Sequence, residues 1–271
     1  MTEVKVVLSG SGLLYPLHVG AVNALHDAGY KIKAIAGVSG GAIIASAIAS
    51  GIRPGEELVD LVLDTIPSEN GLIDLTWCPF KHWGLIKGER IKEEFDRHFR
   101  PNFDSTEIPL KVYAVNIDEQ GNFFDPLYTV FGTYETPDIA ISDAVRASMS
   151  IPGVFKPHVI NGHRYIDGGI VANYPLSAFG AGKDVIGFHI RGNRAFERPS
   201  GLKTYAKMMF RLFMEAVNRQ HIDEDLWGRT VLLETPQSSL DFRYGTSEVH
   251  QMIRLGYEQA LDQLLDLEDS K

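Results

Sequence analysis

Apolar and polar positions along this chain alternate with two different periods, and the changes of period mark out its elements. Residues 4–8 form a short β-branched apolar run that stops at Ser9-Gly10-Ser11-Gly12, as a buried strand entering a glycine turn does. Residues 18–28 follow at helical spacing, and Gly29 stands where a left-handed cap ends a helix. Residues 32–36 predict a second strand and 42–50 the helix after it, with Gly51 as its stop. This strand–helix–strand–helix opening predicts a mainly parallel sheet covered on both faces. Helices are expected over 56–64 and 89–97, with a less regular stretch between them. Residues 110–116 return to the sheet, a turn follows at Asp118-Glu119-Gln120-Gly121, and 139–147 is helical. Residues 159–166 carry Asn161-Gly162, the strongest short hairpin signal. The pattern ends as strand 185–190, helix 205–218, strand 231–233 and helix 247–265. No repeat, low-complexity tract or linker interrupts it, so residues 1–271 are expected to form one α/β domain.

Composition narrows the function classes. Twenty-six Lys and Arg stand against 35 Asp and Glu, a net charge of -9, whereas nucleic-acid binding needs basic groups to neutralise phosphates. The same balance opposes electrostatic docking of the whole protein on anionic lipid, so any membrane-surface contact is expected to be transient, local and apolar. The lone Cys78 cannot form an internal disulfide, which suits a reducing compartment. Met1-Thr2-Glu3-Val4-Lys5 lacks the basic start and apolar core of a signal peptide, and a cytoplasmic location is the expectation. Residues 32–52 carry no charge except Lys33 and are long enough to span a bilayer. Their glycines and small side chains fit a buried strand–turn–helix better.

That segment holds the first candidate chemistry. Gly37-Val38-Ser39-Gly40-Gly41 is a Gly-x-Ser-x-Gly pattern between a predicted strand and a predicted helix, the setting of a nucleophile elbow. Gly37 and Gly41 would let strand and helix pack closely, and the helix start would favour negative charge developing at Ser39. Read alone, Ser39 is as well explained as a helix N-cap. Gly10-Ser11-Gly12, after the first strand, can form a nest of backbone N–H groups for an oxyanion. A dinucleotide fingerprint would need glycine where Tyr15 stands, and no Walker pattern is present. Asp167-Gly168-Gly169, after the predicted hairpin, offers a carboxylate that can take a serine proton directly if burial raises its pKa. An exposed Asp-Gly turn is the ordinary alternative.

In this order the three motifs resemble the patatin-like phospholipase family. Two further stretches are similar to it, from Ala147-Ser148-Met149-Ser150 through Lys156-Pro157 and at Val171-Ala172-Asn173-Tyr174-Pro175, with a weaker block at Gly84 to Arg90. The likeness covers about residues 4–190. It implies a three-layer α/β/α fold and hydrolysis of fatty acyl or other acyl esters, with Ser39 as nucleophile, Asp167 as base and Gly10, Ser11 and Gly12 as the oxyanion loop. No cofactor or metal is implied. The family's loop usually continues with a basic residue and a glycine, where this chain has Leu14 and Tyr15.

Other readings remain at this level. A Ser-His-Asp α/β-hydrolase would draw its base from His189, His221 or His250. A catalytically silent lipid-binding protein would use the fold without the chemistry, and a nucleotide-binding module would rest on the glycine turn alone. Residues 72–85 hold Trp77 and Trp83, two of the three tryptophans; core packing is the ordinary expectation for them and an interfacial loop the alternative. Met208, Met209, Phe210, Leu212 and Phe213 similarly read as helical core or as the lining of an acyl groove.

Overall fold

The computed structural model describes residues 1–119, 121, 126–180, 182–192, 200–202, 204, 205, 208, 209, 212, 216 and 228–269. In chain order the first elements are β1 (Thr2–Leu8), α1 (Pro16–Asp27), β2 (Tyr30–Val38), α2 (Gly40–Ala49), α3 (Glu56–Asp64), α4 (Pro79–His82), β3 (Gly84–Ile86) and α5 (Glu89–His98). Then come β4 (Leu110–Asn116), β5 (Thr129–Gly132), α6 (Ile141–Ser148), β6 (Gly153–Phe155), β7 (His158–Ile160) and β8 (His163–Asp167). The last are α7 (Gly169–Ala172), β9 (Val185–Arg191), β10 (Thr230–Glu234) and α8 (Thr246–Asp269).

The central sheet runs β10-β9-β1-β2-β4-β8-β7, and β5 also pairs with β4. The five strands from β10 to β4 are parallel; β5, β8 and β7 join antiparallel. Strand alternation divides the core. Val6, Leu8 and Ile35 face a thick helical layer that includes α1, α2, α5, α6 and α8, while Val7, Ala36, Val38 and Tyr113 face the segment holding α7, Tyr174 and Leu176. The result is the expected three-layer α/β/α fold with a mainly parallel sheet. α8 lies along α1 so closely that a Cβ on Gly20 would strike the backbone of Ile253 and Tyr257.

Most predicted elements appear within a few residues of their expected ends. Asn161 and Gly162 have φ of 51° and 86°, the doubly left-handed turn that joins β7 to β8. The helix expected from 139 begins at Ile141, because Ala140 is still extended. The structure adds β5 and a separate two-stranded sheet of β3 and β6, for which the sequence shows no distinct period. The helix expected over 205–218 and the Gln120 turn position fall largely or wholly outside the described residues.

Register positions the site. Leu8 pairs with Gly37, so the turns after β1 and β2 leave the sheet side by side. Val38 pairs with Tyr113, and the next residue of β4, Ala114, pairs with Asp167 at the end of β8. Ser39 and Asp167 are thereby brought to one rim of the sheet with a single strand between them, at the carboxyl ends of the parallel strands where open α/β sheets carry their ligands.

Candidate active site

Ser39 sits between β2 and α2 with φ 50° and ψ −123°, a conformation rare outside glycine. The surroundings that hold it there are close-packed backbone. A Cβ on Gly41 would lie 2.5 Å from the Ser9 carbonyl oxygen and 2.7 Å from that of Leu8, and one on Gly37 would meet the backbone of Gly41 and Ala42. The Ser39 N–H donates to Ser148 Oγ at 2.8 Å, and Ser148 in turn donates to the Tyr113 carbonyl at 2.6 Å. Ser39 makes no side-chain cap on α2. Its hydroxyl instead donates to Asp167 Oδ2 at 2.7 Å.

Asp167 is buried, and its other oxygen, Oδ1, accepts the Gly169 N–H at 2.7 Å. Burial raises its pKa from 3.8 to about 6, against the opposing pull of the Ser39 and Gly169 hydrogen bonds. Its backbone N–H donates to the Ser150 carbonyl, 3.0 Å away. Arg146 fixes that stretch: its guanidinium donates to Ser150 Oγ and to the carbonyls of Gly88 and Lys156, and stacks 5.0 Å from the Phe155 ring. Burial holds the Arg146 pKa down to about 10, still far above neutrality.

The loop after β1 lies against the elbow. A Cβ on Gly40 would lie 2.5 Å from Gly12 O and from Ser11 Oγ, and one on Gly10 would stand 3.6 Å from Ser39 Cβ. The three residues of this loop divide their tasks. Gly10 donates its N–H to the Asn173 carbonyl at 2.8 Å, so its contribution is close approach rather than a free donor. Ser11 and Gly12, like Gly40 at the start of α2, have backbone N–H groups with no partner among the described residues. Leu13 N–H donates to Ser239 O at 2.9 Å, and Gly12, at φ 54°, is packed on the same carbonyl. Behind the loop, buried His18 donates from Nε2 to the Ser9 carbonyl at 2.9 Å, and burial lowers its pKa to about 4, so it donates as a neutral ring.

Leu14 and Tyr15 fit this loop without distorting it. Tyr15 has φ −56° and ψ −22°, ordinary helical values that require no glycine. Its buried hydroxyl lies 3.2 Å from the Thr65 carbonyl, to which it donates, and burial pushes its pKa up to about 12. Tyr15 forms part of an apolar cleft that opens over Ser39 and includes Ile43, Ile91, Met149, Phe155 and Phe242.

The two described histidines among the alternative bases do not line the cleft over Ser39. His189 is buried on β9 with its ring 4.9 Å from that of Tyr174, His250 is exposed on α8, and His221 is outside the described residues. Trp77 and Trp83 are exposed, which corrects the core-packing expectation for that segment. Met209 and Leu212 are also exposed and do not line the cleft; Phe210 and Phe213 lie outside the described residues. Among the described residues, Asp64, Glu94 and His98 bring three potential metal-ligand atoms within 4.8 Å, but these atoms already pair with one another across α3 and α5. Ser148, Asn173 and Arg146 are the supporting residues that pattern reading missed. Their roles are contacts across 109, 163 and 58 positions of chain, for which local spacing offers no signal beyond a polar run at the end of α6.

Comparison with known proteins agrees with this layout. The family model described as Patatin-like phospholipase matches residues 6–179. Uncharacterized protein R571 of Acanthamoeba polyphaga mimivirus is 30% identical over 190 residues, covering 65% of this chain and 61% of that protein. Probable lipid hydrolase 463L of Invertebrate iridescent virus 6 is 32% identical over 188 residues, covering 63% of this chain and 61% of its own. The chain thus spans 61% of the length of each of these curated relatives. Among solved structures, VipD from Legionella pneumophila shares the fold, with a TM-score of 0.52 at 16% identity over 97% of this chain and 67% of that one.

Proposed function

The chain belongs to the patatin-like phospholipase family, and from that premise we propose that it hydrolyses lipid acyl esters through a Ser39–Asp167 dyad. The observation that carries this reading is the 2.7 Å hydrogen bond to the buried Asp167 carboxylate from the Oγ of Ser39, which lines an apolar cleft. A relative named as a probable lipid hydrolase supports the substrate class. The unit proposed to act is residues 1–271 as one domain, since α8 and β10 pack with the strands and helices that carry the site.

The chemistry follows from the contacts. Ser39 Oγ attacks the ester carbonyl carbon while its proton passes to Asp167 Oδ2, and the carbonyl π electrons move onto oxygen. The free N–H groups of Ser11, Gly12 and Gly40 are the donors proposed for that oxyanion, with Gly10 keeping the loop close enough to reach it. Collapse of the tetrahedral species breaks the ester C–O bond, and the departing alcohol oxygen takes the proton from Asp167. Water then gives a proton to Asp167 as it attacks the acyl-enzyme, and collapse returns the proton to Ser39 and frees the fatty acid. The raised pKa suits a group that must both accept and release a proton near neutrality. Gly169 N–H holds the carboxyl and the Ser150 carbonyl holds the Asp167 backbone N–H, so little reorganisation is needed during transfer.

The test is a panel of p-nitrophenyl esters and defined phospholipids and triglycerides, run with wild type, Ser39→Ala and Asp167→Asn. A fluorophosphonate should label wild type at Ser39. Failure of the folded protein to form that adduct would reject the proposal in favour of a silent lipid binder. Full activity in Asp167→Asn, with loss on changing His189, would instead favour a histidine base.

A further inference from the structure

We propose that the exposed segment 75–87 docks on the surface of a lipid bilayer beside the mouth of the cleft. The proposal gives the ester-hydrolase reading its substrate source and rests on it in that respect. The docking itself is a physical contact that can be measured without turnover.

Five large apolar side chains of this segment face solvent: Leu75 is 66% exposed, Trp77 79%, Phe80 95%, Trp83 53% and Leu85 53%. A cluster this dense is unusual on a protein surface and marks an interaction site more often than chance exposure. The segment is framed rather than loose. Leu72 and Ile86 anchor its ends in the core, Thr76 N–H donates to Leu85 O at 2.8 Å, and Thr76 Oγ1 donates to Gly84 O at 2.8 Å. Asp74 accepts the backbone N–H of Gly88 at 2.6 Å and of Glu89 at 3.0 Å, closing the base of the segment onto α5. Trp83 ends α4 at φ 58°, a left-handed conformation that costs an aromatic residue about 1 kcal/mol and that glycine would adopt freely. The frame therefore holds the aromatics outward at some cost to the fold.

Charge points to the occupant. In a chain of net charge -9, residues 75–87 include Lys81 and Lys87 and no Asp or Glu. Lys81 Nζ lies 5.8 Å from the Trp77 ring centroid, and the guanidinium of Arg164, itself paired with Asp118, lies 4.6 Å from that of Trp83. Indole rings flanked by cations suit the boundary between lipid headgroups and acyl chains. No helix among the described residues is long and apolar enough to cross a membrane, so the contact would be interfacial. Its place is also apt. β3 pairs with β6 at Gly84–Gly153 and Ile86–Phe155, and Phe155 and Ile151 form part of the cleft wall. A bilayer seated on the segment would stand next to the opening through which an acyl chain must pass.

The test is co-sedimentation with sucrose-loaded vesicles of phosphatidylcholine, with and without phosphatidylglycerol, in a Ser39→Ala background that leaves lipid intact. The unaltered segment should pellet with both, more strongly when phosphatidylglycerol is present. Trp77→Ala/Phe80→Ala should lower binding to both by roughly tenfold or more, the scale expected from removing two inserted aromatics. Lys81→Glu/Lys87→Glu should abolish the phosphatidylglycerol preference. With Ser39 restored, both variants should turn over p-nitrophenyl acetate at the wild-type rate, and unchanged thermal unfolding would show that the fold is intact. Vesicle binding unaffected by Trp77→Ala/Phe80→Ala, or no binding before substitution, would overturn the proposal. A concentration-dependent dimer that the same variant abolishes, without vesicle binding, would overturn it in favour of a second copy. The hydrolase reading fails by a different sign: p-nitrophenyl acetate turnover that survives Ser39→Ala, whatever the vesicles show.

Discussion

The turn at residues 37–41 and the turn at residues 10–12 leave neighbouring strands β2 and β1 and meet over Ser39, yet they are held in different ways. In the elbow, added Cβ atoms on Gly37 and Gly41 would press on main chain: that of Gly41 and Ala42 for the first, and of Leu8 and Ser9 for the second. No rotamer change can relieve such a contact. In the loop, a Cβ on Gly10 would meet the side chain of Asn173, and one on Gly12 the carbonyl of Ser239 in the connection between β10 and α8. The elbow is therefore fixed by main chain, its own and that of the end of β1, while the loop is positioned by segments that arrive from the C-terminal half. On the proposed mechanism the elbow must fix a nucleophile against its base, whereas the proposed oxyanion donors can be tuned by whatever packs behind them.

The largest effect should come from breaking the elbow. Gly41→Ala should destabilise the protein by about 4 kcal/mol or more, or prevent soluble expression, as read by denaturant unfolding. Removing the chemistry while sparing the backbone should separate stability from activity. Ser39→Ala and Asp167→Asn should each lower kcat about 10³-fold or more, with the fold retained in circular dichroism. Asp167→Asn should also stabilise the protein at neutral pH by about 1–3 kcal/mol, since it removes a buried charge. The sign follows from a folded pKa of about 6 above the ordinary 3.8. The wild type carries the cost of ionising Asp167 in full above about pH 6 and loses it below about pH 4, so the difference from the Asn variant should vanish in acid. Activity should run the other way, with kcat/KM falling about tenfold per pH unit below about 6 and level above it.

Changes in the loop should be milder and separable. Gly12→Ala combines a left-handed φ of 54° with a clash at Ser239, and should lower kcat about 10- to 100-fold for about 1–3 kcal/mol of stability. Gly10→Ala should cost about 1–2 kcal/mol, and Asn173→Ala in the same chain should restore much of that loss, because the obstruction is a side chain. A double-mutant cycle measures this coupling. Absence of coupling would mean that the Asn173 side chain does not position the loop, and the contrast between the two turns would fail.

The part of the site that was legible in the sequence is the part built from near neighbours. Gly37, Ser39 and Gly41 are readable because strand, sharp turn and helix follow each other within a few residues. The same holds for Asn161-Gly162, whose turn type is set by two adjacent residues. Ser148 and Asn173 were less accessible: each matters through one hydrogen bond or packing contact to a residue more than 100 positions away. The aromatic segment was misjudged for a related reason. Trp77 and Trp83 have the composition of a core, and only the pairing of β3 with β6 and the capping by Asp74 turn them outward.

By itself the sequence determined the alternation of strands and helices and the two glycine turns, and it singled out the serine and the carboxylate proposed to act. Those depend on side-chain periodicity and on backbone sterics, which each short segment carries with it. Tertiary structure decided that Ser39 reaches Asp167 across 128 residues, that burial lifts the Asp167 pKa to about 6, and that Asn173 occupies the Gly10 N–H. It also decided that Tyr15 lines the cleft over Ser39, with its hydroxyl donating to the Thr65 carbonyl. These properties arise from which distant segments exclude water and accept hydrogen bonds at a point, and no local run of residues contains that information.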